Sequence, residues 1–471
     1  MGKDRRRPYS RDDPSADSQA QQCGLAQHTG RSAVLLLACV VAAIVSLSAR
    51  DRLSGAFETA ERPAFAPLLQ SESRRRGDGS VGPATVAADS LVESVGVNLH
   101  LHYNGTLYYD DFALVRRRLR ELGVRHVRDG LIDTQWLDYY RRYHELGRDG
   151  IRGVFVAGLD PTDATIRQFP TRVDPAFEGY EGPNEQDLSG TGDWVERVRA
   201  VQRRLYAARQ LPSPAPYFVY APSVTSEAAY RSLGDLSAWT DYGNMHNYPS
   251  GRHPGTTGWG DDGYGSIGWN LRQAQRVSGG RPVVTTETGY HSGPPQADAV
   301  PENVAAAYVP RLILQQFLAG IRRTYIYELC DQANDTYGLL SRSGTPKPAF
   351  NALQGLMRLL SDPGPPITPA PLRYSATNDW GDLHHLSFAR RDGTYYLLLW
   401  FEQPAFELAS RRELPIVRHP VRVRFTGRER PVRTHAWTRG GRIDVTTISS
   451  SRGEMTIDAT DTLLAIELKP M

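Results

Sequence analysis

Phe177-Glu178-Gly179-Tyr180-Glu181-Gly182-Pro183-Asn184-Glu185 is the stretch that decides the fold. A short run of strand character meets a Gly-Pro break, and a glutamate stands just beyond it. The pattern returns in Pro282-Val283-Val284-Thr285-Thr286-Glu287-Thr288-Gly289, again with a glutamate at the end of the run.

Outward from these two points the chain alternates. Candidate strands are Val95–His100, Arg125–Arg128, Gly153–Ala157, Phe177–Glu181, Tyr217–Ala221, Tyr242–His246, Pro282–Glu287 and Thr324–Leu329. Phe112–Leu122, Trp194–Ala208 and Val304–Leu318 carry apolar residues at helical spacing. The stretch after the third strand is the weakest helix, because Pro161 and Pro170 interrupt it. Eight strands in βα alternation predict an α/β fold, a closed parallel (β/α)8 TIM barrel over residues 89–362. After Leu360 the run Ser361-Asp362-Pro363-Gly364-Pro365-Pro366 forms a short linker. Beyond it strands occur without helices: Tyr395–Trp400, Val421–Phe425 and Leu463–Leu468, with a hairpin signal at Asp392-Gly393. Residues 367–471 are therefore expected to form a C-terminal antiparallel β-sandwich.

Strand C-termini of such a barrel converge on one mouth. They would bring together His100 and His102, Arg128 and Asp129, Asn184 and Glu185, His246, Asn247 and Tyr248, Glu287, and Tyr327 with Glu328. Two carboxyls in different protonation states suit cleavage of a glycosidic bond. Glu287, if near Arg128, would stay ionised and nucleophilic. Glu185, in a less polar setting, would act as the acid. Glu328 would either bind a substrate hydroxyl or pair with an arginine. Trp259, in a Gly-rich loop after strand 6, is the best candidate platform for a sugar ring.

Val127-Arg128, Asn184-Glu185, His246-Asn247-Tyr248, Thr286-Glu287-Thr288-Gly289 and the run Pro346–Leu353 occur in one order. In this the chain resembles the clan of retaining (β/α)8 glycoside hydrolases with the acid/base after strand 4 and the nucleophile after strand 7. It is similar to bacterial cellulase-like and exopolysaccharide-glycosidase-like members. The resemblance implies Glu185 as acid/base and Glu287 as nucleophile. It implies Asn184 on the substrate's 2-hydroxyl, Arg128 and Tyr248 holding the nucleophile, and His246 near the acid. It also implies an oligo- or polysaccharide substrate, no cofactor and no metal. Tyr325-Ile326-Tyr327-Glu328-Leu329-Cys330 departs from it, since many members carry a sugar-stacking Trp there. A transglycosylase with the same two glutamates and a non-catalytic glycan-binding envelope protein are the alternatives.

His100-Leu101-His102 also matches the strand 1 ligands of metal-dependent amidohydrolase barrels. Too few further ligands follow for that chemistry, since strand 5 ends in Ala221-Pro222-Ser223. Gly263-Tyr264-Gly265-Ser266-Ile267-Gly268 matches a dinucleotide-binding pattern, but no strand precedes it, and a loop is expected.

The formal charge of +3 over 471 residues gives no reason to expect a nucleic-acid partner. Residues 1–31 form a basic leader, expected in the cytoplasm. Ser32–Ala49 carries no charge between Arg31 and Arg50, and is just long enough to span a bilayer. It reads as an uncleaved transmembrane signal anchor or as a cleaved signal peptide. Residues 50–88 read as a flexible tether. Either way the barrel is expected outside the cytoplasm, membrane-anchored or secreted.

Overall fold

The computed structural model describes residues 84–293, 296–333, 335–449 and 453–470. The leader, the apolar run and the tether as far as residue 83 lie outside them. Among the described residues no helix is long and apolar enough to cross a membrane.

The barrel strands are β1 (Val95–Asn98), β2 (His126–Gly130), β3 (Arg152–Val156), β4 (Phe177–Glu181), β5 (Phe218–Tyr220), β6 (Gly243–His246), β7 (Val283–Thr288) and β8 (Thr324–Ile326). All pair in parallel, in the order β5-β4-β3-β2-β1-β8-β7-β6. A single bridge between Tyr220 and Tyr242 joins the outer strands and closes the ring. Most strands are buried along their length, with buried polar and charged side chains among the apolar ones. Val154, Tyr220, Val284 and Tyr325 fill the interior. Gly96 is what lets Tyr325 in, since a Cβ there would lie 2.4 Å from its ring.

Helices cover the outside. Phe112–Leu122 forms where its apolar spacing predicts it, with Asp111 accepting from Leu114 N and Gly123 in the left-handed region ending it. Asp163–Val173 forms despite Pro170, because Thr162 caps its start and Ile166, Phe169 and Val173 are buried. The floor of the barrel is ionic. Glu178 accepts from Arg323 Nη1 at 2.7 Å and lies 2.9 Å from His126 Nδ1, whose Nε2 is 2.8 Å from Glu93.

The C-terminal region is a sandwich of a six-stranded and a three-stranded sheet, with a separate two-stranded hairpin. Tyr395, Leu397, Leu399 and Phe401 face Val421, Val423 and Phe425 in one core. Their strand neighbours Tyr396, Leu398 and Trp400 join the barrel's core on the opposite face. The helix Glu302–Leu318 lies under that face and is buried almost throughout. Its burial on all sides explains its weak amphipathicity. Trp437 Nε1 donates to Ala352 O at 2.9 Å across the same junction.

The expected tether reaches too far along the chain. Val86–Ala87 forms a two-residue strand parallel to Leu383–Ala389 of the sandwich. Thr85 Oγ1 accepts from Leu372 N at 2.7 Å, and the helix Ala88–Glu93 begins at the tether's last residue. A two-residue strand is too short to show a hydrophobic period.

Candidate active site

Five buried polar side chains form the uppermost layer inside the barrel: Asn98, Arg128, Glu181, Asn244 and Thr286, from β1, β2, β4, β6 and β7. Arg128 is its centre. Nε donates to Glu181 Oε2 at 2.6 Å and Nη2 to Glu181 Oε1 at 2.9 Å, a two-pronged pair. Nη1 donates to Asn98 Oδ1 at 2.9 Å and to Glu287 Oε1 at 2.6 Å. Nη2 also reaches Asn184 Oδ1 at 2.8 Å. One rigid guanidinium thus fixes side chains from the ends of β1, β4 and β7.

Glu287 has both oxygens held, since Tyr248 OH donates to Oε2 at 2.8 Å. Burial alone would push its carboxyl up. His246, Arg128 and Tyr248 outweigh that and hold it below the usual carboxylate range.

Glu185 stands at φ +46°, ψ +41°, a left-handed conformation uncommon outside glycine. Its N–H donates to Ser223 O at 3.0 Å, which holds the turn after β4 against the end of β5. A quarter of the side chain is exposed, more than a less polar setting predicts. His246 Nδ1 lies 2.6 Å from Glu185 Oε1 and 3.6 Å from Glu287 Oε2. His246 Nε2 lies 3.1 Å from Thr286 Oγ1. Burial pulls the imidazole down, but the two glutamates raise it above its ordinary value. The contact between His246 Nδ1 and Glu185 Oε1 is short enough for a charge-assisted hydrogen bond.

One ligand atom from each of Glu185, His246 and Glu287 lies within 4.8 Å of the others. This is the one convergent group of metal-ligand type among the described residues, and it includes neither His100 nor His102. The Arg128 guanidinium on Glu287 already supplies the positive charge there, which opposes a second cation.

His100, His102 and Glu328 line the same end of the barrel. Glu328 accepts from Tyr108 OH at 2.8 Å and Gln332 Nε2 at 2.9 Å, and His100 Nε2 is 3.4 Å away. None of these partners is an arginine. Burial pushes Glu328 up to about 8 and His100 down to about 4. His102 faces Asp129 at 3.3 Å. Tyr327 stands where the sugar-stacking Trp was missing, edge-on to His100 and Tyr337. Trp259 lies under the Arg252 guanidinium at 4.2 Å and against Gly265. Among the described residues, no hydrogen bond or ring contact joins it to Glu185 or Glu287. The Gly263–Gly268 pattern is a loop entering the helix Ile267–Ser278, as expected.

Glu181, Asn98, Asn244 and Thr286 were not legible as site residues. The available signal was a polar residue inside an otherwise buried strand, which in a barrel interior needs a partner.

No family model matches the sequence, and no curated protein matches it. The fold does have solved relatives in shape. A family 39 glycoside hydrolase from the gut symbiont Bacteroides cellulosilyticus WH2 is similar over 82% of this chain and 83% of its own. The TM-score is 0.56 and the identity 15%. A β-galacturonidase of family GH2 from Eisenbergiella tayi and a β-glucuronidase from Faecalibacterium prausnitzii each reach a TM-score of 0.42. The first is 14% identical over 56% of this chain and 51% of its own, the second 15% over 59% and 49%. The likeness to the first structure is one of fold, and it extends well beyond the barrel.

Proposed function

We propose that this protein is a retaining glycoside hydrolase acting on an extracellular or cell-envelope glycan. The observation that carries this is the approach of Glu185 and Glu287, with an oxygen of each within 4.8 Å of the other. Retaining pairs stand about 5–5.5 Å apart, whereas inverting pairs leave roughly 6.5–9.5 Å for a water. A shared fold with a glycoside hydrolase is in keeping with it.

Glu287, kept ionised by Arg128 and Tyr248, attacks the anomeric carbon. Glu185 passes a proton to the departing glycosidic oxygen as the C–O bond breaks. The sugar is left esterified to Glu287. Glu185, now a base, takes a proton from water, whose oxygen displaces Glu287. His246 orients Glu185 through its 2.6 Å contact with Oε1. Asn184, fixed by Arg128 and by Ser223 Oγ at 3.1 Å, is placed for the 2-hydroxyl. His100, Glu328 and Tyr327 form the wall for the other hydroxyls. The charge-free run Ser32–Ala49 supports a barrel outside the cytoplasm, anchored if that run is kept and secreted if it is removed.

The test is a screen of the protein against polysaccharides and aryl glycosides with product identification. Release of a reducing sugar that is lost in Glu287→Gln supports the assignment. Absence of cleavage across neutral, uronic and amino sugars would refute it.

A further inference from the structure

Glu402 lies just past the sandwich strand Tyr395–Phe401 and is buried. Six donors from three parts of the chain converge on its carboxylate. Arg311 Nε donates to Oε2 at 3.2 Å, and Arg311 Nη2 bonds Oε1. Gln315 Nε2 and Trp400 Nε1 donate to Oε2 at 2.9 and 3.0 Å. His253 Nδ1 and Gly255 N complete the set, at 2.9 and 3.0 Å from Oε1.

The last two donors are not part of the domain junction. They belong to the segment between β6 and the helix Ile267–Ser278. That segment runs from Asn247 through Tyr248, which bonds Glu287, and holds Trp259 farther on. Its internal bonds are mostly between near neighbours in the chain, such as Arg252 N to Pro249 O at 3.1 Å and Thr256 N to His253 O at 3.1 Å; Arg252 Nη1 to Gly258 O at 2.8 Å, Trp259 N to Tyr264 O at 2.8 Å and Asn247 Nδ2 to Gly265 O at 2.9 Å reach farther. The sandwich hairpin adds a second grip. Leu408 packs so closely on Gly251 that a Cβ there would sit 3.0 Å from Leu408 Cδ1. Arg411 Nη1 donates to Ala297 O at 2.9 Å in the segment after β7, the strand that carries Glu287.

We infer that Glu402 is a positioning residue for the active site: through His253 and Gly255 it fixes the segment that presents Tyr248 to Glu287. The sandwich is then a working part of the active site as well as a support for the barrel. This rests on the proposed glycosidase function. Arg311 holds Glu402 from the barrel side, so the carboxylate is an anchor of fixed position. A loop tied to it loses its freedom before substrate arrives, which is how a pre-organised site saves ordering cost at the moment of reaction.

Substituting Glu402 would strand the buried Arg311 charge and endanger the fold. The discriminating variants are therefore on the loop side. His253→Ala removes one tether and leaves Arg311–Glu402 intact. His253→Asn keeps an N–H donor near the position of Nδ1. In the full chain, well below the unfolding temperature, His253→Ala is expected to lower kcat/KM by about ten- to a hundredfold, the scale of ångström misplacement. Amides of residues 249–266 should exchange hydrogen faster in that variant. His253→Asn should restore both, while the melting temperatures stay close together. An active native protein whose His253→Ala form keeps native kcat/KM and native exchange in 249–266 would overturn the inference. A native protein inactive on every glycan would instead tell against the glycosidase function, and the exchange result would still decide whether the tether holds the loop.

Discussion

Arg128 Nη1 lies 2.6 Å from Glu287 Oε1, so the candidate nucleophile is paired with a buried guanidinium. Everything else in the site is arranged around that contact. Glu181 balances the second half of the arginine's charge, Tyr248 takes the other oxygen of Glu287, and His246 separates Glu287 from Glu185.

The two glutamates should fail differently. Glu287→Gln is expected to abolish turnover on every substrate, because no nucleophile remains. Glu185→Ala should lose about 10²–10⁴-fold on natural glycans, the range of a lost general acid. It should lose far less on aryl glycosides whose leaving group needs little protonation. Steady-state kinetics of both variants on both substrate types checks the assignment. Equal losses throughout would reverse it.

The pH dependence follows from the donors on Glu287. Its folded pKa is depressed, so its ionised form persists below the ordinary carboxylate range. Stability from its pairing is present above the unfolded pKa and is lost as pH falls through the folded one. The acid limb of kcat/KM should accordingly lie below about 4.3, the ordinary glutamate value. Tyr248→Phe removes one donor to the anion, and the acid limb should move to higher pH. A pH profile of the two proteins measures this, and an unmoved limb would mean that another group sets it.

Glu181 is a structural requirement of the site. Glu181→Ala leaves Arg128 buried without one of its two carboxylate partners, and a broken buried pair costs about 3–5 kcal/mol. The expected result is a marked drop in melting temperature together with loss of activity. Chemical denaturation would give the size. A variant as stable as the native protein would show that Arg128 re-pairs elsewhere.

Boundaries can be tested by truncation. A chain starting at Ala84 should fold and be active, since it keeps Thr85 and the Val86–Ala87 strand. One starting at Ala88 loses that strand and should unfold at lower temperature. Removal of 367–471 should cause aggregation, because it exposes the helix Glu302–Leu318 and strands Arg311 without Glu402. Limited proteolysis that releases a stable, active barrel would contradict this.

Much of the architecture was legible because a (β/α)8 repeat writes its mouth into the sequence at strand ends. Arg128, Asn184, Glu185, His246, Tyr248 and Glu287 could all be read that way, and the structure brings them into one network. Glu181 could not, because it precedes the Gly182-Pro183 break and its importance comes from partners on other strands, Arg128, Asn244 and Thr286. The choice at Glu328 between a hydroxyl and an arginine needed the partners Tyr108 and Gln332, which no spacing in the chain brings together. Tyr395–Trp400 read simply as a strand, and its burial on both faces became meaningful only with the barrel's helix beneath it. Val86–Ala87 was hidden for the opposite reason, as two residues carry no pattern. The fate of Ser32–Ala49 lies outside the described residues.

The most direct measurement is the anomeric configuration of the first-formed product. A glycoside that the native protein cleaves would be followed by proton NMR from the first minutes, before mutarotation mixes the anomers. With Glu185 and Glu287 as close as they are, the released sugar should carry the configuration of the substrate. Release of the opposite anomer would show single displacement through a water, and would contradict the double-displacement account.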